Sequence, residues 1–395
     1  MRIDEYLDSL GYHYSRYYYE LSQRIVEDIV RRIEKIGDIS RSADFQISQL
    51  HDLGFTNEEI RDMVKQATEK SEEYIDKVFD DAIHIDYIAN KDLYDASNKN
   101  FTPFHENAYL QNLIQFTKET GKEDMRNMCN SLGFVIREKE GLKSHTLTSY
   151  FQKVMDDALI DISSGSFDFE STLRKCVNQM TQSGIRWIDY ASGHHNRVEV
   201  AARRSLMSGM ANIAVSNSHR VAQELGIDTF EVSAHTGARP THAIWQGKVY
   251  TSKELEEVCG KGTVTGLLGA NCYHTYYPFF KGISQRTYTD EQLEQMANDE
   301  PKEYRGKEYT EYEAKQYMRQ METSMRAEKE RIRLLKEGGG NPQDIKNAKA
   351  RLNAKMDEYA NFADKMNLKQ QRERIHVGDE SFRAGREQLK NVTKQ

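Results

Sequence analysis

The chain contains few residues of the types that interrupt or cross-link a fold. Its 395 residues include only four Cys and five Pro. Four thiols in so long a chain cannot supply the disulfide framework of a small secreted domain, so we expect reduced cysteines in a protein made in a cytosol. The low proline content, together with only 24 Gly, favours long continuous elements over a loop-rich sandwich.

Long apolar segments are also missing. No run approaches the roughly 18 apolar residues that a membrane span requires. The first residues, Met1-Arg-Ile-Asp-Glu, are charged and lack the apolar core of a signal peptide. The mean hydropathy of −0.79 is polar for a globular protein, yet 22 Tyr and 15 Phe are too many aromatic residues for a disordered one. We therefore expect a folded protein with no membrane contact.

Acidic and basic residues are distributed unevenly. The net charge is −7, but residues 1–300 hold 33 basic and 46 acidic side chains, whereas residues 301–395 hold 22 and 16. This asymmetry makes the C-terminal region the part suited to contact with DNA. Its charges are interleaved, however, and interleaving is more typical of a solvated helix face. Both interpretations remain open at this stage.

The apolar pattern predicts a mainly α protein with an embedded small α+β module and a C-terminal antiparallel helical hairpin. Around residues 21–36, apolar side chains recur every four residues and define one helix face. From Ile227 the pattern alternates, which indicates a strand. We divide the chain into a helical region 1–169, long helices at 170–226, the module at 227–290, the hairpin at 291–375 and a polar tail at 376–395.

Local signals locate several boundaries. A helix rich in Ala, Ser and Gly is predicted from about Asn196 to Leu225, with Gly226 as its stop. Thr251 and Glu254 have the spacing of a capping signal for a short helix in the module. In the hairpin, Gly residues after Glu337 end one helix, and Asn341-Pro342 begins the next. A two-helix hairpin buries little surface by itself, so we expect it to dock on something else.

Histidine and cysteine residues concentrate in the module. Thiolate and imidazole are ligands that suit zinc, which takes four tetrahedral ligands in a structural site. Residues two apart in a strand share a face, so the side chains of Cys272 and His274 can reach one ion. The sequence therefore predicts a structural Zn²⁺ site with four ligands, His235, His242, Cys272 and His274, and with Cys259 as an alternative to one of the histidines.

Other interpretations compete with zinc. These histidines can bond to backbone groups while the cysteines fill the core as small apolar residues. Cys272 is also a candidate nucleophile, with Arg239 as an anion-binding group, but no third, orienting residue occurs at a recognisable spacing. The Gly-rich loop at 260–271 matches neither a P-loop nor a dinucleotide-binding fingerprint. We expect no catalytic residues.

Two blocks of the module carry a recognisable signature. The first is Val232-Ser-Ala-His-Thr-Gly-Ala-Arg-Pro-Thr-His-Ala-Ile-Trp-Gln-Gly-Lys-Val-Tyr, and the second is Gly262-Thr-Val-Thr-Gly-Leu-Leu-Gly-Ala-Asn-Cys-Tyr-His-Thr-Tyr-Tyr-Pro-Phe. Both resemble blocks of the tailed-phage minor capsid protein 2 family. The resemblance extends over about residues 170–375. Before residue 170 it is confined to helical character.

The resemblance implies a low-copy component of the phage virion that acts in head morphogenesis near the portal, and it gives no agreed activity. We expect a structural, non-enzymatic protein that is made in the host bacterial cytoplasm. From its amphipathic helices we expect portal and major capsid proteins as partners, and from its charge we keep packaged DNA open as a contact of the C-terminal region. Besides the four metal-site residues above, the positions that match the family form the expected structural core of the module: Arg239, Pro240, Trp245, Gly247, Asn271 and Pro278.

Two rival functions remain. One is a metal-dependent hydrolase or nuclease carried in the virion, which would need three protein ligands, an open metal position and a nearby acid. The acids closest in sequence, Glu231, Glu254, Glu256 and Glu257, stand at no diagnostic spacing. The other is a DNA-organising protein inside the head, for which binding would weaken with salt.

Overall fold

A computed structural model describes residues 3–39, 57–88, 90–163, 168–189, 193–269, 272, 274–297 and 300–375. The predicted tail at 376–395 and the predicted core residue Asn271 lie outside these ranges. Within them, the helices are α1 (Ile3–Ile39), α2 (Asn57–Ile88), α3 (Lys91–Ala96), α4 (Ala108–Asn130), α5 (Leu147–Ser163), α6 (Phe169–Ser183), α7 (Val198–Leu225), α8 (Pro240–Ala243), α9 (Ser252–Glu257), α10 (Asp290–Ala297), α11 (Glu311–Glu337) and α12 (Pro342–Met366).

Three small antiparallel sheets accompany the helices. Their strands are β1 (Leu132–Glu138), β2 (Gly141–Thr146), β3 (Arg186–Ile188), β4 (His195–Arg197), β5 (Thr229–Val232), β6 (Val249–Thr251), β7 (Tyr276–Pro278), β8 (Lys302–Tyr304) and β9 (Lys307–Tyr309). The strand orders are β2-β1-β3-β4, β6-β5-β7 and β8-β9. The second sheet lies in the predicted module, so the fold class predicted from the sequence is confirmed.

The first sheet adds strands to the region 1–169, which the sequence pattern predicted as helical. Strand β1 pairs with β2 through a tight connection, with Phe134 opposite His145 and Glu138 opposite Gly141. Residues 132–136 are all buried, so β1 shows a short apolar run instead of an alternating pattern. Such a run cannot be distinguished by periodicity from a turn of buried helix, which is why the sequence did not reveal this sheet.

The largest core lies among α1, α2, α4, α5, α6 and α7. The predicted face of α1 supplies Leu21, Ile25, Ile29 and Ile33, each at most 2% exposed. Tyr18 is also fully buried, and its hydroxyl bonds that of Ser71 on α2 at 2.9 Å. The four-residue period of the sequence therefore identifies the buried stripe of this helix.

Helix α7 connects this main core to the module. Its N-terminal half places Val198, Ala202 and Leu206 in the main core. Its C-terminal half places Val215 and Ala222 against the core of the module, and the helix ends at Gly226 as predicted. The module is therefore built on the end of a helix that begins in the body.

The C-terminal hairpin forms as predicted. The side chain of Asn341 accepts a hydrogen bond from the backbone of Gln343 at the start of α12, and Pro342 occupies the first position. Helices α11 and α12 enclose a core of their own that includes Met318, Met325 and Phe362. Near its end, α11 also packs into the main core. The expected docking of the hairpin thus occurs within the chain.

A buried ion pair joins the hairpin to the body. The guanidinium of Arg197, at the end of β4, donates to both carboxylate oxygens of Glu330 on α11 at 3.1 and 3.3 Å. These side chains are only 12% and 5% exposed. Arg197 also donates to the carbonyl oxygen of Thr181, and Tyr19 donates to Glu330. Burial alone would lower the pKa of Arg197, but Glu330 and Glu199 outweigh it and raise the pKa, so the guanidinium stays charged.

Replacing Arg197 tests this junction. Because Arg197→Ala leaves the Glu330 carboxylate buried without its main partner, we expect the free energy of unfolding to fall by about 3–5 kcal/mol. The matched control is Lys253→Ala, which removes an exposed partner of Glu257 and should change stability by less than about 1 kcal/mol. Urea unfolding followed by circular dichroism measures both. If both substitutions lower the free energy of unfolding equally, the Arg197–Glu330 pair does not stabilise the junction between hairpin and body.

Candidate metal centre

Two segments of the module converge on one point. His242 lies on the short helix α8, whereas Cys272 and His274 lie on the segment that leads into β7. Strand β5 pairs with β7 through Phe230 opposite Pro278, which brings the end of this segment beside the loop that follows β5. Among the described residues, His242, Cys272 and His274 form a group whose ligand atoms all lie within 4.8 Å of one another.

The three donor atoms are close and evenly spaced. His242 Nδ1 lies 3.3 Å from His274 Nδ1. Cys272 Sγ lies 3.7 Å from His242 Nδ1 and 3.6 Å from His274 Nδ1. His242 and His274 are 2% and 3% exposed, so both imidazoles are held in a nearly dry site. The arrangement can hold a soft or borderline metal ion.

The far nitrogen of each imidazole is bound to an acceptor. His242 Nε2 donates to the carbonyl oxygen of Thr265 at 2.8 Å, and His274 Nε2 donates to the side-chain oxygen of Gln246 at 3.0 Å. The same Gln246 oxygen accepts from the backbone N–H of His235 at 3.1 Å, which fixes the orientation of the amide. Metal-bound histidines are usually oriented by such contacts.

The surroundings keep these groups uncharged. Burial, with the nearby His235, His242 and Arg239, lowers the pKa of His274 to about 2. Burial also lowers the pKa of His242 and raises the pKa of the Cys272 thiol. Both imidazoles are therefore neutral at neutral pH, which leaves a lone pair on each ring for a metal ion.

The two other predicted ligands, His235 and Cys259, lie outside the group of three donor atoms. The ring of His235 stacks on that of His274 with centroids 4.5 Å apart, and His235 Nδ1 is 3.2 Å from the carbonyl oxygen of Thr236. It is therefore next to the group of three donors without belonging to it. Cys259 is buried in the apolar core of the module with Phe230 and Leu267, and burial raises the pKa of its thiol to about 12.

The residues expected to form the core of the module differ in burial. Trp245 and Pro278 are buried, and Arg239 is half-buried. Gly247 is buried with φ +69°, and a Cβ there would lie 2.3 Å from Leu293. Pro240, however, is exposed. The expectation that it fills the core is wrong, because it occupies the first turn of α8, where its fixed φ suits the start of a helix.

The Gly-rich loop presents the backbone that holds His242. The loop packs against itself so tightly that a Cβ on Gly266 would lie 2.0 Å from the carbonyl oxygen of Gly260. Its neighbour Thr265 supplies the carbonyl oxygen that accepts from His242. The glycines therefore serve close backbone packing, and sequence reasoning did not anticipate the contributions of Thr265 and Gln246.

The module's acids serve other purposes. Glu231 accepts hydrogen bonds from the backbone and hydroxyl of Thr287. Glu254 completes the predicted capping box with Thr251 at the start of α9. No carboxylate belongs to the three-donor group found in the described part of the chain. Among the described residues, the group therefore consists of two imidazoles and one thiol.

The fold and the site define a mainly helical protein that carries a compact module with a histidine–cysteine cluster. Residues 3–364 match the family described as Phage minor capsid protein 2. The chain belongs to this family, and the resemblance read from residues 232–279 is confirmed. No curated protein and no solved structure matches it.

Family membership identifies a structural bacteriophage protein of the virion that interacts with other proteins of the phage head. The match extends well before residue 170, where the sequence showed only a shared helical character. None of the described helices has the length and apolarity that crossing a membrane requires.

The chain's two tryptophans provide a test of the module core. Trp245 is 3% exposed and its ring lies 4.6 Å from that of His242, centroid to centroid. We expect Trp245→Ala to lower the free energy of unfolding by about 3–5 kcal/mol, because it leaves a large cavity. Trp187→Ala, which removes a half-buried ring on β3, is the control and should cost clearly less. Thermal unfolding monitored by circular dichroism compares the two variants. A larger loss of stability in Trp187→Ala would contradict the conclusion that Trp245 is a main part of the module core.

Proposed function

We propose that this protein is a low-copy head component that acts in head morphogenesis next to the portal. The single observation that carries this proposal is the family match over residues 3–364. We further propose that its role is structural and not enzymatic. Glu231 and Glu254, two of the four acids closest in sequence to the cluster, are engaged in hydrogen bonds elsewhere in the module.

A cleft in the helical body is our proposed docking site. It has a volume of about 660 Å³ and lies between α2, α4 and α7, with Trp187 of β3 at its edge. Phe79 and Leu113 contribute apolar surface, whereas Thr120 and Asn127 contribute polar groups. Phe116 lines the cleft and is 71% exposed, the state expected of an aromatic residue that becomes buried in an assembly.

Small side chains on α7 create this cleft. One side of the helix presents Ser205, Ser208, Gly209, Asn212 and Ser216 to it. At Gly209 even a Cβ would lie 3.3 Å from Phe79 and from Thr117, so the helices are close at that point. Beyond it the serines are too short to fill the space between α2 and α4. An open apolar cleft between helices suits an amphipathic helix.

The occupant that we propose is a helix of the portal protein. Head proteins are the partners that the family implies, and a portal partner agrees with the proposed place of action. The hairpin offers a second surface, because α12 packs on α11 with one side and leaves the other exposed. Contact of the C-terminal region with DNA stays a prediction.

Phe116→Glu tests the docking site. A carboxylate at this exposed position should leave the fold intact and should cost about 2 kcal/mol or more of binding, because it replaces an aromatic anchor by a charge. Co-expression with the portal protein of the same phage, followed by affinity capture, measures the complex. We expect the yield of captured portal protein to fall at least tenfold.

Leu142→Glu is the matched control. Leu142 is 63% exposed on β2, outside the cleft, so its replacement adds the same charge and removes a comparable apolar side chain. We expect wild-type capture for this variant and unchanged thermal unfolding for both. A cryo-EM map of the portal vertex without density for this protein, or unchanged capture of portal protein by Phe116→Glu, would contradict the proposal.

A further inference from the structure

The two histidines of the cluster direct unprotonated nitrogens at each other. The Thr265 carbonyl oxygen and the Gln246 amide oxygen can only accept, so each neutral imidazole carries its proton on Nε2. Each ring then has a bare lone pair on Nδ1. The two Nδ1 atoms lie 3.3 Å apart in a buried site, so a metal ion in contact with both would accept both lone pairs.

The Cys272 thiol cannot satisfy both nitrogens. Its sulfur lies 3.7 Å from His242 Nδ1 and 3.6 Å from His274 Nδ1. A thiol has one proton, which can bond one of the two lone pairs and leaves the other unmet. Buried polar atoms are nearly always satisfied, so this geometry favours a group that accepts electron pairs from all three atoms at once.

The three distances correspond to one face of a zinc tetrahedron. Zn–N bonds of about 2.0–2.1 Å and Zn–S bonds of about 2.3 Å, at tetrahedral angles, put two nitrogens about 3.3–3.4 Å apart and a sulfur and a nitrogen about 3.5–3.6 Å apart. The observed separations are 3.3 Å between the nitrogens and 3.6 and 3.7 Å from the sulfur. An ion is therefore accommodated with little movement of the side chains.

We propose that His242 Nδ1, Cys272 Sγ and His274 Nδ1 bind one Zn²⁺ ion as three of its four ligands. The inference does not depend on the proposed docking to the portal protein. Zinc binds the thiolate, so binding releases the thiol proton to solvent. His235 stacks on His274 instead of joining the set, and a fourth ligand from outside these three residues completes the coordination. The ion fastens α8 to the segment before β7 across 30 residues of chain.

Gln246 acts as a positioning residue. Its side-chain oxygen holds His274 Nε2 and is itself held by the backbone N–H of His235. It is 3% exposed, so water does not readily replace it. Loss of such an orienting contact typically weakens metal affinity about 10–100-fold. We therefore expect Gln246→Ala to bind zinc with an affinity reduced by that factor, measured by competition with a chromogenic chelator.

Metal analysis of the full-length purified protein tests the ligand assignment. We expect about one equivalent of zinc in the wild type and less than a tenth of an equivalent in Cys272→Ser, His242→Ala and His274→Ala. Matched controls are Cys259→Ala, which removes another thiol of the module, and His219→Gln, which removes an imidazole of α7 that contacts Tyr276 of the module. Both should keep their zinc. His235→Ala should also keep it, and a loss as complete as in His242→Ala would overturn the three-ligand set.

Cobalt binding to the wild-type protein tests the metal site without any substitution, so it applies even if a variant of a buried ligand fails to fold. We expect chelator-treated wild-type protein to bind one Co²⁺ ion, with the visible spectrum of tetrahedral coordination and a thiolate-to-cobalt band in the near ultraviolet. One proton should be released for each ion bound. A wild-type protein that contains less than a tenth of an equivalent of zinc, and that gives no thiolate band with Co²⁺, overturns the proposal.

Discussion

The structure depends on the buried pair between Arg197 and Glu330. Its two hydrogen bonds connect the start of α7 with the last turns of α11. Tyr19 of α1 donates to Glu330, and the carbonyl oxygen of Thr181 on α6 accepts from Arg197, so both of these helices also contact the pair. A buried charge is tolerated only when it is fully paired. The positions of four helices are therefore coupled to one another through a single guanidinium and a single carboxylate.

Much of the helical architecture follows from local sequence signals. The four-residue period of α1, the stop at Gly226 and the Asn341-Pro342 start of α12 all occur as the sequence predicts. The β1–β2 sheet could not be predicted, because its strand is a short apolar run that any buried element can contain. On α11, Glu328 is a buried acid among apolar residues, and it is paired with Arg331, Arg351 and Lys355. Such pairing depends on the tertiary fold.

The sequence indicated that histidine and cysteine side chains cluster in the module, but it did not indicate every residue of that cluster or its surroundings. Cys272 and His274 share a strand-like spacing, and His242 belongs to the same block, so their proximity could be inferred. The exclusion of Cys259 from the cluster follows from its place in the apolar core, which no spacing reveals. The roles of Thr265 and Gln246 depend on a carbonyl and an amide that meet the imidazoles only after the module has folded.

Two long helices contact the module in the described part of the chain. Helix α7 enters it from the body, and Lys315 near the start of α11 donates to the carbonyl oxygen of Thr236, in the loop that leads from β5 to α8. The Arg197–Glu330 pair lies near the opposite end of both helices. Helices α7 and α11 therefore each contact the helical body at one end and the module at the other. Because two helices connect the module to the body, a rotation of the module about one helix would also have to break its contact with the other.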